Sequence, residues 1–337
     1  MKMLFDYRWI GEHGIGRFAI EISRRLKFQY FPLTGSPSSP ADPFRLTSSL
    51  LRRSKKIFIS PGYNGPLFSF RPYIITIHDL NHIDRLENSS FLKRIYYRLF
   101  LRRVCLKAAA VMTVSDYSKN RIIEWSGINR DKVFNVGNGV SSIFSVSAGK
   151  PYLKFKYILC VSNRRGHKNE TGALQGFLKS GLPKNVKLVF TGAESGAIVD
   201  EIARLNVQHR VHFAGRLSES NLAALYRGAM FLLFPSFYEG FGLPIIEAFA
   251  SGTPVITSNI TSMPEIAGDA ALLVDPNDAD DIATAIDKLH NSSKLRAELV
   301  QRGFKRVENF TWDAVADRVK AAVRSVDTDP SNPLSWN

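Results

Sequence analysis

Short apolar runs recur along the chain with amphipathic stretches between them, and the alternation sets the expected elements. In the first half, runs at 2–7, 28–33, 56–60, 73–78, 109–114 and 132–136 predict strands. Helical periodicity falls at 15–26, 91–107 and 117–125, and a Pro/Ser stretch at 34–43 reads as a loop. Periodicity lapses from Gly137 to Pro151, which marks a linker. The pattern then restarts, with strands at 157–162, 186–191, 211–214, 229–235, 254–258 and 271–274. Helices are expected at 169–179, 197–205, 219–228, 243–250, 280–290, 294–308 and 312–325. Strands that alternate with helices argue for parallel sheets, hence an α/β fold of two doubly wound units. Residues 1–150 form the first unit and 151–325 the second, the last helix being free to cross back to the first. The tail 326–337 reads as frayed.

The chain has 337 residues, enough for two cores, and its composition is that of a globular protein: 45% hydrophobic and 22% charged. Its two cysteines, Cys105 and Cys160, suggest a reducing compartment rather than a disulfide framework. Asp6 and Arg8 interrupt any apolar region of a leader, and no apolar run reaches the roughly 18–20 residues of a membrane span. The expectation is a cytoplasmic protein, free or peripheral to a membrane.

Charge changes that picture. The formal net charge is +15. Residues 1–150 hold 24 Lys and Arg against 10 Asp and Glu, while residues 151–337 hold 21 against 20, giving +14 and +1. One half therefore faces something anionic: a nucleic acid, an anionic bilayer or a phosphorylated acceptor. Arg94, Arg98 and Arg102 form one stripe of a predicted helix, a pattern that a solvated face also produces.

The most informative chemistry lies at 235–247. An apolar strand runs into a turn bearing Glu239, Gly240, Phe241 and Gly242, and a helix opens at Leu243 with Pro244 in its first turn. Such a helix start offers unpaired N–H groups to an anion, and the glycines let the main chain come close to a ligand. Glu239 and Glu247 would repel phosphate, so they suit hydroxyl groups. A ligand with phosphates in the middle and hydroxyls at both ends fits, which describes a nucleotide sugar. Arg164, Arg165, His167 and Lys168 crowd an earlier strand-to-helix loop, where a diphosphate would need neutralising. His78 ends a predicted strand, with Asp79 beside it to orient the ring. Gly14 and Gly16 join the first strand to the first helix, ahead of Arg17, without the dinucleotide pattern G-x-G-x-x-G. Asp278 and Asp280 have D-x-D spacing but open a predicted helix, where acids cap the first turn. His and Cys show no zinc spacing, so no metal is expected.

Glu239 and Glu247 carry the E-x7-E spacing, followed by Glu247-Ala-Phe-Ala-Ser-Gly-Thr-Pro-Val-Ile-Thr257 and by Met263-Pro-Glu-Ile-Ala-Gly-Asp-Ala-Ala-Leu-Leu-Val-Asp-Pro276. This run resembles retaining glycosyltransferases of family 4, and weaker segments extend the resemblance over nearly the whole chain. The resemblance implies a GT-B fold: two Rossmann-like domains facing across a cleft, the first taking an acceptor and the second a nucleotide sugar. It also implies retaining transfer without metal or other cofactor. Arg164 and Lys168 best match the residues that hold the donor phosphates, with Arg165 as the alternative to Arg164. Glu239 would place the sugar, Glu247 bind the ribose, and His78 lie beside the sugar's reactive end. Gly14, Gly16 and Arg17 would approach the donor phosphate, Gly240 to Leu243 would supply amides, and the base would lie near Leu217. The His78-Asp79-Leu80 segment and the Gly14-to-Phe18 loop look most like bacterial mannosyltransferases of surface polysaccharide and O-antigen synthesis. GDP-mannose is the first candidate donor, UDP- and dTDP-sugars stay open, and the acceptor expected is a glycan on a lipid carrier at the inner membrane face. Another GT-B enzyme, such as an epimerase or phosphorylase, is the alternative. Nucleic-acid binding is remote, since no such module is visible.

Overall fold

The structure, a computed structural model, describes residues 3–11, 13–51, 56–85, 91–147 and 153–326. The tail from Asp327 therefore lies outside the described residues, as do Glu12 and part of the expected linker, 148–152. The chain divides into two compact units: residues up to Gly139 with those from Trp312 onward, and Val140–Thr311.

The first unit contains β1 (Met3–Phe5), α1 (Gly14–Arg25), β2 (Gln29–Tyr30), α2 (Asp42–Leu51), β3 (Ile57–Ile59), β4 (Tyr73–Thr76) and α3 (Asn81–Asp84). Next come α4 (Phe91–Tyr96), a π-helical turn at Tyr97–Leu101, α5 (Arg102–Lys107), β5 (Ala110–Thr113), α6 (Asp116–Ser126) and β6 (Val133–Asn135). The six strands make one parallel sheet in the order β2-β1-β3-β4-β5-β6. Residues of β1, β3, β4 and β5 are buried throughout, which is why these strands read as unbroken apolar runs rather than alternating ones. Helix α1 turns Phe18, Ala19 and Ile22 inward on one stripe. Ser115 caps α6 by accepting from Ser118 N at 3.0 Å, and Gly127 ends it in the left-handed region.

The second unit contains β7 (Tyr157–Cys160), α7 (Glu170–Lys179), β8 (Lys187–Phe190), α8 (Ala197–Arg204), β9 (Val211–Phe213), α9 (Glu219–Gly228) and β10 (Leu232–Phe234). It continues with α10 (Leu243–Ala250), β11 (Val255–Ser258), α11 (Met263–Ala267), β12 (Ala271–Val274), α12 (Ala279–Asn291) and α13 (Ser293–Val307). Its parallel sheet runs β12-β11-β10-β7-β8-β9. The last helix, α14 (Trp312–Arg324), belongs to the first unit, where Trp312, Val315 and Val319 join Phe5 and Phe18 in one apolar cluster.

All twelve expected strands are present, shorter at their ends by a residue or more in most cases. The short helices α3 and α11 are not among the expected elements, the helix expected at 91–107 is broken by the π-helical turn, and α2 is a further departure. The stretch 34–43 does not run on as loop, because α2 starts at Asp42 with Pro43 in its first turn, where the missing N–H is no loss.

Strand order reverses between β7 and β10 in the second sheet and between β1 and β3 in the first. At such a switch point the loops leaving two adjacent strands diverge and open a crevice at the strands' carboxyl ends.

Candidate active site

The two loops at the second unit's switch point carry the carboxylates and cations singled out above. The loop after β7 is stitched to the loop after β10 at two points and to the loop after β12 at a third. Phe237 N donates to His167 O at 2.8 Å, while Asn169 Nδ2 donates to Pro235 O at 3.0 Å and to Pro276 O at 2.7 Å. Asn169 can do this because it sits in the left-handed region (φ 53°), from which its side-chain oxygen also caps α7 at Gly172 N. The stitching sets Lys168 against Glu239, with Nζ donating to Oε1 at 2.7 Å and both side chains 13% exposed. Lys168 Nζ also stands 4.9 Å above the ring of Phe234. The turn of Glu239 is held from the next loop: Ser262 Oγ donates to Glu239 O at 2.9 Å and to Phe241 O at 3.0 Å.

Gly242 precedes α10 at φ 101°, a conformation that side chains resist, and no side chain caps the helix behind it. The first turn of α10, from Leu243, thus points N–H groups past a glycine. Glu247, one turn on, is only 5% exposed, and its Oε2 accepts from Tyr226 O–H at 2.8 Å. Tyr226 carried no signal in the sequence, since its partner comes from another helix.

The basic loop divides its work unequally. Arg164 adopts φ 63°, pairs with Glu170 and donates to Ala193 O and Thr191 O, each at 2.8 Å. Its guanidinium lies 4.9 Å from the ring centre of Phe213. Arg165 is exposed. A cavity of about 180 Å³ opens here, lined by Arg164, Arg165, Glu170, Ser195 and Phe237 among others. Leu217 is half-buried in the loop after β9, which Gly192 N, donating to Gly215 O at 2.8 Å, ties to the loop that Arg164 holds.

The first unit places its candidates separately. Before α1, His13 Nδ1 accepts from Gly16 N at 3.0 Å, a cap the sequence did not advertise. Gly16 has no room for a side chain, since a Cβ there would stand 2.2 Å from Gly11 O. Gly14 is exposed and Arg17 half-buried on the same first turn. His78, after β4, donates from Nε2 to Pro61 O at 2.9 Å and meets Phe18 edge-on at 5.2 Å. Asp79 Oδ1 accepts from Asn81 N at 2.9 Å.

Burial holds the His78 pKa below its usual 6.5, and the nearby His13 adds to this, against opposing effects from the Pro61 bond and Asp79. The native state therefore binds fewer protons here than the unfolded chain. The penalty is absent well above pH 6.5 and grows as pH falls through 6.5. Urea unfolding should show a stability loss from pH 8 to pH 5.5 that His78→Gln, which keeps a donor for Pro61 O, lacks. Equal losses in both proteins would show that His78 is not its source.

Asp278 accepts from Asp280 N at 2.8 Å and Asp281 N at 3.2 Å at the start of α12, and Asp280 pairs with Lys179 at 2.8 Å. Among the described residues no three His, Cys, Asp or Glu are grouped to share a metal ion, and no helix is long and apolar enough to cross a membrane.

Comparison with known proteins gives the family and the fold. Residues 12–142 match the family described as Glycosyltransferase Family 4, and residues 146–306 match Glycosyl transferases group 1. O-antigen chain mannosyltransferase B of Escherichia coli is 30% identical over 272 residues, 74% of this chain and 71% of that one. O-antigen chain mannosyltransferase RfbU of Salmonella typhimurium is 29% identical over 247 residues, 70% of this chain and 65% of that one. MMP alpha-(1->4)-mannosyltransferase of Mycolicibacterium hassiacum is 30% identical over 227 residues, 65% of this chain and 55% of that one. Among solved structures, Anabaena HepE in complex with UDP and glucose superposes with a TM-score of 0.75 at 15% identity, covering 96% of this chain and all of that one. Sucrose-phosphate synthase from Thermosynechococcus elongatus gives 0.73 at 19% identity, covering 96% and 98%. The chain belongs to the family 4 glycosyltransferases and has their GT-B fold.

Proposed function

We propose that this glycosyltransferase moves a mannosyl residue from GDP-mannose to a glycan on a lipid carrier, with retention at the anomeric carbon and without a metal ion. One observation carries the donor site: Lys168 and Glu239 meet at 2.7 Å on the switch-point loops, beside the uncapped start of α10. The choice of mannose rests on the names of the three relatives above. The lipid carrier follows from the O-antigen synthesis named for two of them and from the basic first half.

The difficult step is departure of the diphosphate. As the bond from the anomeric carbon to the phosphate oxygen breaks, negative charge gathers on the leaving group. Lys168 and the amides from Phe241 to Leu243 are placed to receive it, and preorganised charge of this kind is usually the largest catalytic contribution. Glu239 accepts from the sugar's hydroxyls once Lys168 turns to phosphate. Glu247, its rotamer held by Tyr226, accepts from the ribose. The acceptor oxygen bonds to the anomeric carbon on the face that the diphosphate leaves, its proton passes to the departing phosphate oxygen, and GDP is released. No enzyme base is then required. To the donor we further assign Gly14, Gly16 and Arg17 as phosphate ligands, His78 as a sugar contact and Leu217 as a base contact.

Arg165 is the better phosphate ligand of the two arginines. The Arg164 guanidinium is committed to Glu170 and two carbonyls, so it acts by holding the loop after β8. Arg165→Ala should raise the donor KM about tenfold with Tm unchanged, whereas Arg164→Ala should lower Tm as well. The reverse pattern would reassign the roles. The function itself is tested by incubating the enzyme with GDP-mannose, UDP-glucose or dTDP-rhamnose and a lipid-linked glycan. The expected product is a mannosylated glycan in the α-configuration. Transfer only from a UDP- or dTDP-sugar, or epimer or free sugar formed from donor alone, would refute it.

A further inference from the structure

Among the described residues eleven large hydrophobic side chains are exposed, and seven of them lie on three segments of the first unit. Phe44 and Leu51 belong to α2, Phe68 and Phe70 to the loop after β3, and Ile95, Leu99 and Leu106 to the run from α4 to α5. The segments adjoin one another. Thr47 Oγ1 on α2 accepts from Leu67 N at 2.9 Å, and the Arg103 guanidinium on α5 stands 4.9 Å from the ring centre of Phe68. Phe70 is 93% exposed and Phe68 61%, although rings of this size are normally at least partly covered.

Apart from the buried Asp42 that opens α2, charge on these segments has a single sign. From Pro43 to Ile77 the sequence holds six Lys and Arg and no Asp or Glu, and the same is true from Phe91 to Ser115. Arg45, Arg98, Arg102, Arg103 and Lys107 are exposed among the apolar side chains. A face evolved only for water mixes the two signs, and single exposed apolar residues need no explanation. Seven together, interleaved with cations and free of carboxylates, do.

We propose that this face docks on an anionic lipid bilayer, its rings and aliphatic side chains entering the headgroup boundary while the guanidinium groups meet lipid phosphates. Bilayer association needs both components, apolar insertion and basic attraction, and both are present here in one patch. Nucleic acid would use the cations but gain little from Ile95, Leu99 and Leu106. The inference extends the proposed lipid-linked acceptor by giving the enzyme a membrane-facing side, and its test reads binding rather than transfer, so each can fail alone.

The test is flotation of the full chain with vesicles of phosphatidylcholine alone or mixed with phosphatidylglycerol. Strong binding to the mixed vesicles, weakened by salt, and little binding to the neutral ones are expected. Two double variants follow: Arg98→Glu with Arg102→Glu, and Phe68→Ser with Phe70→Ser. Each should lower partitioning about tenfold or more, the first removing much of the salt dependence and the second leaving it. Thermal shift by GDP, read in the same preparations, should match the parent and so exclude misfolding as the cause. Failure to float with anionic vesicles, equal flotation with neutral ones, or parent-like partitioning of both variants would overturn the proposal. So would a dimer in light scattering that the Phe68/Phe70 variant dissolves, or a protein that binds duplex DNA and not anionic vesicles.

Discussion

Replacing Lys168 with Ala is expected to lower kcat for glycosyl transfer by about 10²–10³, the usual effect of losing one preorganised donor to a developing anion. The side chain is 13% exposed and already oriented by Glu239 and the Phe234 ring, so little reorganisation is needed when charge builds on the diphosphate. Because the gain is greatest in the transition state, kcat should fall more than donor affinity does. Lys168→Arg keeps the charge but not its shape, and should recover only part of the rate. Lys168→Ala also leaves Glu239 without its cation, so a small drop in Tm should accompany its rate loss. Initial rates at saturating donor decide the matter. A Lys168→Ala enzyme within about threefold of the parent would remove this residue from the chemistry.

The second large effect concerns stability and falls in the first unit. Asp6 and Asp42 are both fully buried, and a single guanidinium, that of Arg8, serves them. Arg8 Nε donates to Asp6 Oδ1 at 2.8 Å and Nη1 to Asp42 Oδ1 at 2.6 Å, while Asn64 Nδ2 donates to Asp6 at 3.0 Å and to Asp42 at 2.7 Å. Burial alone would disfavour the guanidinium's charge, but the two carboxylates outweigh it and raise its pKa above the usual value. Arg8→Met leaves two carboxylates buried without a cation, which should cost about 3–5 kcal/mol. Adding Asp42→Asn should restore part of that loss, since one of the stranded charges is then gone. Urea unfolding of the three proteins measures both effects. Equal stability of Arg8→Met and the parent would mean that the network carries no charge worth compensating.

What could be read in the sequence depended on how local its cause was. The strands were legible because sheets covered on both faces need continuous apolar runs, and Tyr157–Cys160 or Val255–Ser258 could be little else. Glu239 and Glu247 were legible as a motif, along with the glycine turn and the helix that follows. Helix α2 was not foreseen, because Pro/Ser composition hid a start in which Asp42 and Pro43 supply the first turn. Contacts between distant segments left no trace at all. The Arg8 network joins residues up to 58 apart, the Tyr226–Glu247 bond crosses from one helix to another, and the commitment of Arg164 depends on a left-handed backbone that its side chain does not reveal. The apolar-basic face was half visible. Its charge stood out, but Phe68 and Phe70 read as ordinary loop residues until their exposure was known.

A crystal structure of the enzyme with GDP-mannose tests the central claim most directly. The account predicts the diphosphate between Lys168 Nζ and the first amides of α10, with oxygens about 3 Å from both, and Glu239 facing the mannose. A diphosphate seated elsewhere on the second unit, with the Lys168–Glu239 pair intact and untouched, would contradict it.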